Sequence, residues 1–256
     1  MQFLTLGTPG KPVILCFHAL GVTGRSNERF ANFMKDDYFF VLPTLSAFCE
    51  GETYISKKDE LTQLESFLEK NDIDELEMVL GSSIGADIAM EFISGGTHDF
   101  NHGFINGGMF AKIGGLARKM LAPVLYKTIE KINKTNGDSL KEIFWTDEYE
   151  IKPYFVEAAR NLNKDSMNNM MKDMLTKDAY PKLSPETQRK MIFEFGSSED
   201  HFKYRKDVMH SYPEAEFPVF DKYDHMQYQI ENPEGFAEML RTIIETGEMP
   251  DLPMLQ

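Results

Sequence analysis

The chain has 256 residues, a length that suits one α/β domain with a full hydrophobic core and an insertion. Its formal net charge of -14 disfavours nucleic acid and anionic membrane surfaces as partners, because their negative charges would repel the protein. It has two cysteines, no signal-peptide pattern at its start and no apolar run of membrane-spanning length. These features together indicate a cytoplasmic protein without a disulfide framework.

The chain alternates between strand patterns and helix patterns. Strands are predicted near residues 2–6, 12–17, 38–42, 75–80, 101–106, 190–195 and 216–220. Helices are predicted over residues 28–34, 58–70, 84–94, 202–211 and 233–246. Alternation of this kind implies an α/β fold, in which a mainly parallel central sheet is flanked by helices.

A polar turn follows the first strongly apolar strand pattern. Val13–Phe17 is a continuous apolar run, typical of a strand that is covered on both faces. The run ends in His18, Ala19 and Leu20. A histidine at a strand end is most simply a hydrogen-bonding residue of the loop, so we interpret His18 as structural.

Residues 81–85 read Gly-Ser-Ser-Ile-Gly, between the apolar run 76–80 and the helical pattern that starts at Ile84. A serine on a sharp strand-to-helix turn presents its hydroxyl above the edge of the sheet. The flanking glycines are needed there because a side chain would collide with the bent backbone. Such a pentapeptide also arises by chance as an ordinary turn. Its position between a strand and a helix makes Ser83 a candidate nucleophile.

Two histidines lie close together at residues 98 and 102, a spacing that could suggest metal ligands. No cysteine or third histidine accompanies His98 and His102, so we predict neither a metal site nor a cofactor. Further along the chain, His201 and His210 are most simply solvated side chains.

The interval 109–188 breaks the alternation, because it contains no convincing strand and at least three helical patterns, over residues 115–133, 147–161 and 164–177. Four methionines in the last pattern stand at i, i+3, i+4 and i+7 on one helical face, namely Met167, Met170, Met171 and Met174. Flexible thioethers could line an apolar substrate pocket. A helix must also bury one face against its neighbours, so core packing is the alternative interpretation of this stripe.

Carboxylates and a histidine follow the last two strand patterns. The strand predicted over 190–195 is followed by the adjacent residues Glu199 and Asp200. His225 follows the strand predicted over 216–220 and precedes an Asn-Pro pair that opens a final amphipathic helix.

The motifs in this order resemble those of the α/β-hydrolase superfamily, whose chain order is nucleophile, acid and then histidine. The resemblance implies the α/β-hydrolase fold, with a core formed by residues 1–108 and 189–256. It also implies that residues 109–188 form a helical lid, inserted before the last two strands and carrying the substrate selectivity.

The resemblance assigns a catalytic triad. Ser83 would be the nucleophile and His225 the general base. The family places its carboxylate three residues after the glycine that ends the preceding strand, which selects Glu199. Asp200 is the rival, since it is one residue away and is the more frequent residue type in this role.

The resemblance also implies an oxyanion hole made by the backbone N–H groups of Leu20 and Ile84. Two positions depart from the family pattern. Ala19 stands where the family usually has glycine in the oxyanion loop. Asp224 replaces the common glycine before the histidine, and a carboxylate close to the imidazole would favour its charged form.

The function implied by the resemblance is that of a serine hydrolase. It would cleave a small-molecule carboxylic ester with a small apolar or aromatic acyl group through an acyl-enzyme, without a cofactor. The same apparatus serves thioesters, amides, peptides, lipids and some carbon–carbon bonds, and the fold does not choose among them.

Two alternatives belong to other classes of protein. One is a catalytically inactive relative that kept the fold as a ligand-binding module. The other, a dinucleotide-binding oxidoreductase, is excluded because the glycines at 81 and 85 do not form a G-x-G-x-x-G motif. The sequence indicates neither the natural substrate nor the oligomeric state.

Overall fold

A seven-stranded sheet lies at the centre of the computed structural model, which describes residues 1–108, 110, 113–142, 149–176 and 180–251. The strands are β1 (Gln2–Leu6), β2 (Val13–Phe17), β3 (Phe39–Thr44), β4 (Glu75–Ser82), β5 (Asp99–Asn106), β6 (Met191–Gly196) and β7 (Val219–Phe220). Their order in the sheet is β1-β3-β2-β4-β5-β6-β7. Only the pair β1–β3 is antiparallel, so the prediction of a mainly parallel sheet is confirmed.

The last strand is shorter than the sequence pattern predicts. Within the predicted strand 216–220, only two residues form the ladder with β6, and Glu216 makes a separate bridge to Ile192. Pro218 lies between the bridge and the strand, and it interrupts the ladder because proline has no N–H to donate.

Ten α-helices lie in the described part of the chain, and their bounds are α1 (Glu28–Ala31), α2 (Lys57–Lys70), α3 (Ile84–Gly95), α4 (Gly115–Lys134), α5 (Lys152–Asn161), α6 (Lys164–Asp173), α7 (Pro185–Arg189), α8 (Arg205–Ser211), α9 (Gln227–Glu231) and α10 (Pro233–Thr246). Short 3-10 helices cover Gly24–Asn27, Ser46–Phe48, Asp138–Glu142, Tyr149–Ile151 and Asp200–Tyr204. The helix predicted over 202–211 is therefore a 3-10 turn followed by α8. The pattern did not predict α9, which is only five residues long.

Helices cover both faces of the sheet and divide the apolar core into two layers. Alternate residues of β2 belong to different layers. Leu15 and Phe17 pack with the residues of α2 and α3, whereas Ile14 and Cys16 pack with those of α1 and α10. This double burial explains why β2 is a continuous apolar run rather than an alternating one.

The interval between β5 and β6 carries α4, α5, α6 and α7, and no described residue of this interval forms a strand. α4 packs against both α5 and α6. The predicted helix limits at residues 147 and 177 lie outside the described residues. α5 begins at Lys152, and α6 ends at Asp173.

Hydrogen bonds fasten the end of α6 to the rest of the molecule. Asp173 accepts hydrogen bonds from the Tyr54 hydroxyl, at 2.8 Å, and from the backbone N–H of Lys57. Leu175 lies at the junction: its N–H donates to Asp87 of α3 at 3.0 Å, and its carbonyl accepts from the N–H of Ile113 at 3.1 Å. Leu175 therefore joins the chain just before α4 to the chain just after α6, beside α3.

None of the helices in the described ranges combines the length with the apolar composition that a membrane crossing requires.

Candidate active site

Ser83 lies on the turn between β4 and α3, with φ 52° and ψ -115°. A positive φ is uncommon for a residue with a side chain, and the surrounding packing must hold it. A Cβ atom on Gly81 would lie 2.6 Å from the Cβ of Ala89, and one on Gly85 would lie 2.5 Å from the carbonyl oxygen of Phe17. The close packing of strand, turn and helix thus explains both glycines of the pentapeptide.

His225 lies on the loop between β7 and α9, where its ring bridges two other side chains. Its Nε2 is 2.9 Å from the Oγ of Ser83, and its Nδ1 is 2.9 Å from the Oε2 of Glu199. The ring packs against Gly107, where an added Cβ would lie 2.9 Å from two atoms of the imidazole. Three residues that are distant in sequence thereby form one chain of hydrogen bonds.

Glu199 follows β6, and its side chain is fully buried. The loop that carries it lies against the loop of His225, because the N–H of Ser198 donates to the carbonyl of Tyr223 at 3.0 Å. Asp200, the other carboxylate considered from the sequence, is exposed at the rim of the neighbouring cavity. Of the two adjacent acids, Glu199 is the one that contacts the imidazole.

Asp224 makes a local contact rather than a contact with the imidazole ring. Its Oδ1 accepts the backbone N–H of His225 at 2.6 Å, and its own N–H donates to Gln227 at 2.7 Å. These bonds shape the turn that presents His225.

Leu20 and Ile84, the two predicted oxyanion donors, lie on segments that are packed together. Ile84 is the first residue of α3, where backbone N–H groups have no acceptor within the helix. Leu20 lines the same cavity as Ser83. The oxyanion loop is held against α3 because Gly85 lies directly on the carbonyls of Phe17 and His18.

His18 is a buried, neutral anchor of the loop that follows β2. Its Nδ1 donates to the carbonyl of Ala19 at 2.8 Å, and its Nε2 accepts the N–H of Leu45 at 3.0 Å. One ring nitrogen donates and the other accepts, which defines the neutral tautomer. Burial lowers the pKa of His18 to about 4, in agreement with this pattern.

A buried amide network under the nucleophile turn was not predicted. The Oε1 of Gln229 accepts from the hydroxyl of Ser82 at 3.1 Å and from the Nδ2 of Asn106 at 2.5 Å, while its Nε2 donates to Asn27 at 3.4 Å. These bonds join β4 and β5 to α9, the helix that follows His225. Gln229 belongs to no recognisable motif, and Ser82 was visible only as the neighbour of Ser83.

A second buried carboxyl group lies near Glu199. Glu194 on β6 is buried, and burial raises its pKa well above its usual range, with a further increase from the charge of Glu199. A nearby N–H, that of Gly107, offsets this only in part. Burial and the charge of Glu199 thus both favour the protonated form of Glu194.

A cavity of about 520 Å³ opens beside Ser83 and His225. Its walls are mainly apolar and come from the core and from the helical segment. The segment contributes Leu125, Thr128, Ile129, Ile132, Ile151 and Phe155. An apolar cavity with a few polar groups at one end is the usual form of a small-molecule site.

The methionine stripe is not part of this cavity wall in the described structure. Met167, Met170, Met171 and Met174 are at most 2% exposed and belong to the core cluster. This placement favours the core-packing interpretation. The cavity is lined instead by α4, where Leu125, Ile129 and Ile132 share a face at i, i+4 and i+7. Both stripes have helical spacing, so sequence periodicity alone did not distinguish them.

The remaining histidines differ in their surroundings. The Nε2 of His98 contacts Glu65 at 2.6 Å, and the ring stacks on Phe92. His210 is exposed, as interpreted from the sequence. The interpretation of His201 as a solvated residue is wrong, because its ring lines the cavity with its centroid 5.5 Å from that of His225. Burial, with a smaller effect of His225, lowers the pKa of His201.

Within the described ranges, one group of at least three histidine, cysteine or carboxylate side chains could share a metal ion. It consists of Glu199, His201 and His225. One donor atom from each lies within 4.8 Å of the others. His98 and His102, the pair considered from the sequence, do not belong to a group of this kind in that part of the chain.

The sequence matches no protein-family model and no curated protein. Solved structures with a similar fold include an α/β-hydrolase family protein from Desulfitobacterium hafniense, at 15% identity and a TM-score of 0.71, with 95% of this chain and 100% of that chain covered. MenH from S. aureus has 13% identity and a TM-score of 0.73, with coverages of 95% and 97%. The esterase EaEST from Exiguobacterium antarcticum has 13% identity and a TM-score of 0.74, with 95% of each chain covered. The chain therefore has the α/β-hydrolase fold.

We predict that the anchor His18 makes folding stability depend on pH in the acid range. The unfolded chain takes up a proton near pH 6.5, whereas folded His18 takes one up only near pH 4, so stability is lost as the pH falls through this window. The difference between the two pKa values corresponds to about 3 kcal/mol of unfolding free energy.

Urea denaturation at several pH values between 7 and 4 measures this effect. His18→Gln should lose most of the pH dependence contributed by this residue, and the exposed control His210→Gln should keep it. Equal pH dependence in the wild type and His18→Gln would contradict the prediction.

Proposed function

We propose that this protein is a serine hydrolase that cleaves a carboxylic ester with a small apolar or aromatic acyl group. The observation that carries the proposal is the hydrogen-bonded chain Ser83–His225–Glu199 at one end of an apolar cavity. A nucleophile, a base in contact with it and an acid that orients the base are the parts that acyl transfer needs.

The first half of the reaction forms the acyl-enzyme. The Oγ of Ser83 attacks the ester carbonyl carbon while the Nε2 of His225 accepts its proton. Glu199 accepts the Nδ1–H, so that it fixes the tautomer and stabilises the imidazolium. The buried carboxylate of Glu199 is well placed for this role, because little water screens its charge.

The N–H groups of Leu20 and Ile84 would hold the oxygen that becomes negative in the tetrahedral intermediate. Donors of this kind accelerate the reaction because they are already oriented towards the developing charge.

His225 then donates its proton to the departing alcohol, and the carbon–oxygen bond of the ester breaks. In the second half, His225 takes a proton from water, which attacks the acyl-enzyme and releases the acid.

The helical segment 109–188 would act as a lid over the core formed by residues 1–108 and 189–256. The support for this is that α4 and α5 contribute apolar side chains to the cavity beside Ser83. An acyl group inserted there would exchange water for contacts with Ile129, Ile132 and Phe155, which selects for apolar groups.

A substrate screen tests the proposal. p-Nitrophenyl esters of graded chain length should be turned over, and acyl thioesters and aminoacyl anilides serve as comparisons for thioesterase and amidase activity. A fluorophosphonate probe should label the protein stoichiometrically at Ser83. Folded protein that is neither labelled nor active would support the alternative of a ligand-binding relative without catalysis.

The first activity prediction separates the two serines of the nucleophile turn. Ser83→Ala should retain the fold and lower turnover by about 10⁴ to 10⁶, the range found when a triad member is removed. Ser82→Ala should keep most of the activity but lower the unfolding free energy, since it leaves the buried Gln229 short of a donor. Ester hydrolysis and thermal melting of both variants measure this. Greater sensitivity of turnover at Ser82 would refute the assignment.

The second activity prediction separates the two adjacent acids. Glu199→Gln should lower turnover severely, yet less than Ser83→Ala, because the acid orients the base without taking the proton itself. Asp200→Asn, an exposed change of the same kind, should have a mild effect. Steady-state kinetics of the two variants decide between them, and the opposite ranking would move the role to Asp200.

The third activity prediction concerns the cavity wall. Ile132→Phe should shift the preference towards shorter acyl chains, since each methylene in an apolar site is worth about 1 to 3 kcal/mol of discrimination. Met170→Phe is the matched control, because Met170 is fully buried outside the cavity wall. It should lower the melting temperature through overpacking and leave the ratio of kcat/KM for short and long esters unchanged. An unchanged ratio in Ile132→Phe would contradict this account of the pocket.

A further inference from the structure

We propose that Glu199, His201 and His225 form a binding site for a divalent transition-metal ion such as Zn²⁺, and that the bound ion reversibly switches off the esterase. The inhibitory part rests on the proposed function, whereas the binding part rests on the geometry alone.

Two of the three side chains, His201 and His225, line the cavity, and Glu199 is buried in contact with His225. One donor atom of each lies within 4.8 Å of the other two. His201 and His225 have ring centroids 5.5 Å apart and planes inclined at 51°, so their rings are not stacked face to face. The donor set is therefore contributed by two loops that are already in contact, one after β6 and one after β7.

A second observation points to an unused electron pair in this group. The Oε1 of Glu199 is buried and has no hydrogen-bond partner among the residues that the structure describes. Its Oε2 accepts from His225, so the carboxylate is only half satisfied by the triad. A cation bound to Oε1 would compensate a buried oxygen that otherwise lacks a donor.

The donor types select the class of metal. Two imidazole nitrogens and one carboxylate oxygen suit Zn²⁺ and its neighbours in the transition series, whereas Mg²⁺ and Ca²⁺ prefer oxygen ligands. Zn²⁺ bonds to such atoms are about 2.0 to 2.2 Å long, so His201 must move inwards by about an ångström or more to complete the set. His201 stands on the 3-10 turn Asp200–Tyr204 and is only partly buried, so its side chain is the one that would rotate towards the other two. A water molecule from the cavity would provide the fourth ligand.

Metal binding and catalysis compete for the same imidazole. If the ion takes Nδ1 of His225, the ring proton moves to Nε2, which then donates to Ser83 and no longer accepts its proton. If the ion takes Nε2, it replaces the contact with Ser83 directly. In both cases the base loses the electron pair that activates the nucleophile.

Calorimetric titration of the wild-type protein with ZnCl₂ at pH 7.5 tests the binding part without any assay of activity. We expect one ion per chain, and an affinity at least about tenfold lower in His201→Gln. Even the loss of a side chain that only hydrogen-bonds to a metal ligand typically lowers metal affinity by about 10 to 100-fold. His210→Gln is the matched control, because it is exposed and lies outside the group. A second variant, His201→Asn, and melting curves of every variant distinguish the loss of a metal ligand from a folding defect. Binding that is equally tight in both His201 variants would overturn the proposed site.

Inhibition of p-nitrophenyl ester hydrolysis tests the switch. Zn²⁺ should lower the rate relative to the metal-free rate of each variant, EDTA should restore it, and Mg²⁺ at the same concentration should have no effect. Half-inhibition should require at least about tenfold more Zn²⁺ in His201→Gln than in the wild type or His210→Gln. Stoichiometric binding that leaves the rate unchanged would overturn the switch while the site stands. Absence of esterase activity in metal-free protein would count against the proposed function and leave the calorimetric test decisive.

Discussion

The positive φ of Ser83 is the constraint on which the arrangement of the site depends. Close packing surrounds it, because Gly81 lies against α3 and Gly85 lies against the end of β2, with no room for a side chain at either position. The contact of Gly85 with the carbonyls of Phe17 and His18 also holds the loop that follows β2 beside Ser83. A serine elsewhere on the sheet edge would have neither a hydroxyl at this cavity nor the adjacent helix N-terminus.

Buried polar groups stabilise this geometry on both sides of the sheet edge. His18 links the carbonyl of Ala19 after β2 to the N–H of Leu45 after β3, and Gln229 connects β4 and β5 with the helix that follows His225. Each group is neutral, which matters because an isolated buried charge is far more costly than a hydrogen-bonded amide or imidazole. Burial acts in the same sense on Glu194, whose pKa it raises, and Glu199 is the carboxyl group that contacts the imidazole.

The fold was largely predictable from the sequence because helices cover both faces of the sheet. Its strands are therefore buried on both sides and appear in the sequence as continuous apolar runs. Residue type and chain order were enough to predict that Ser83, His225 and an acid after β6 would lie together. The choice between Glu199 and Asp200 depends on the conformation of a short loop, and the role of His201 depends on how that loop meets the loop of His225. Likewise, the stripes of α4 and α6 have the same periodicity, so only tertiary packing tells which one lines the cavity.

The hydrogen bond between Ile113 and Leu175 joins the chain just before α4 to the chain just after α6, so the stretch that holds α4, α5 and α6 begins and ends at nearly the same place. A stretch whose two ends are already joined adds little constraint to the neighbouring strands. The distance between its ends stays the same whatever its length or sequence. Segments of different length or sequence can therefore be exchanged at this junction without moving β5 or β6. In this architecture, replacing one contiguous stretch of chain can change the pocket while the turn that carries Ser83 keeps its conformation.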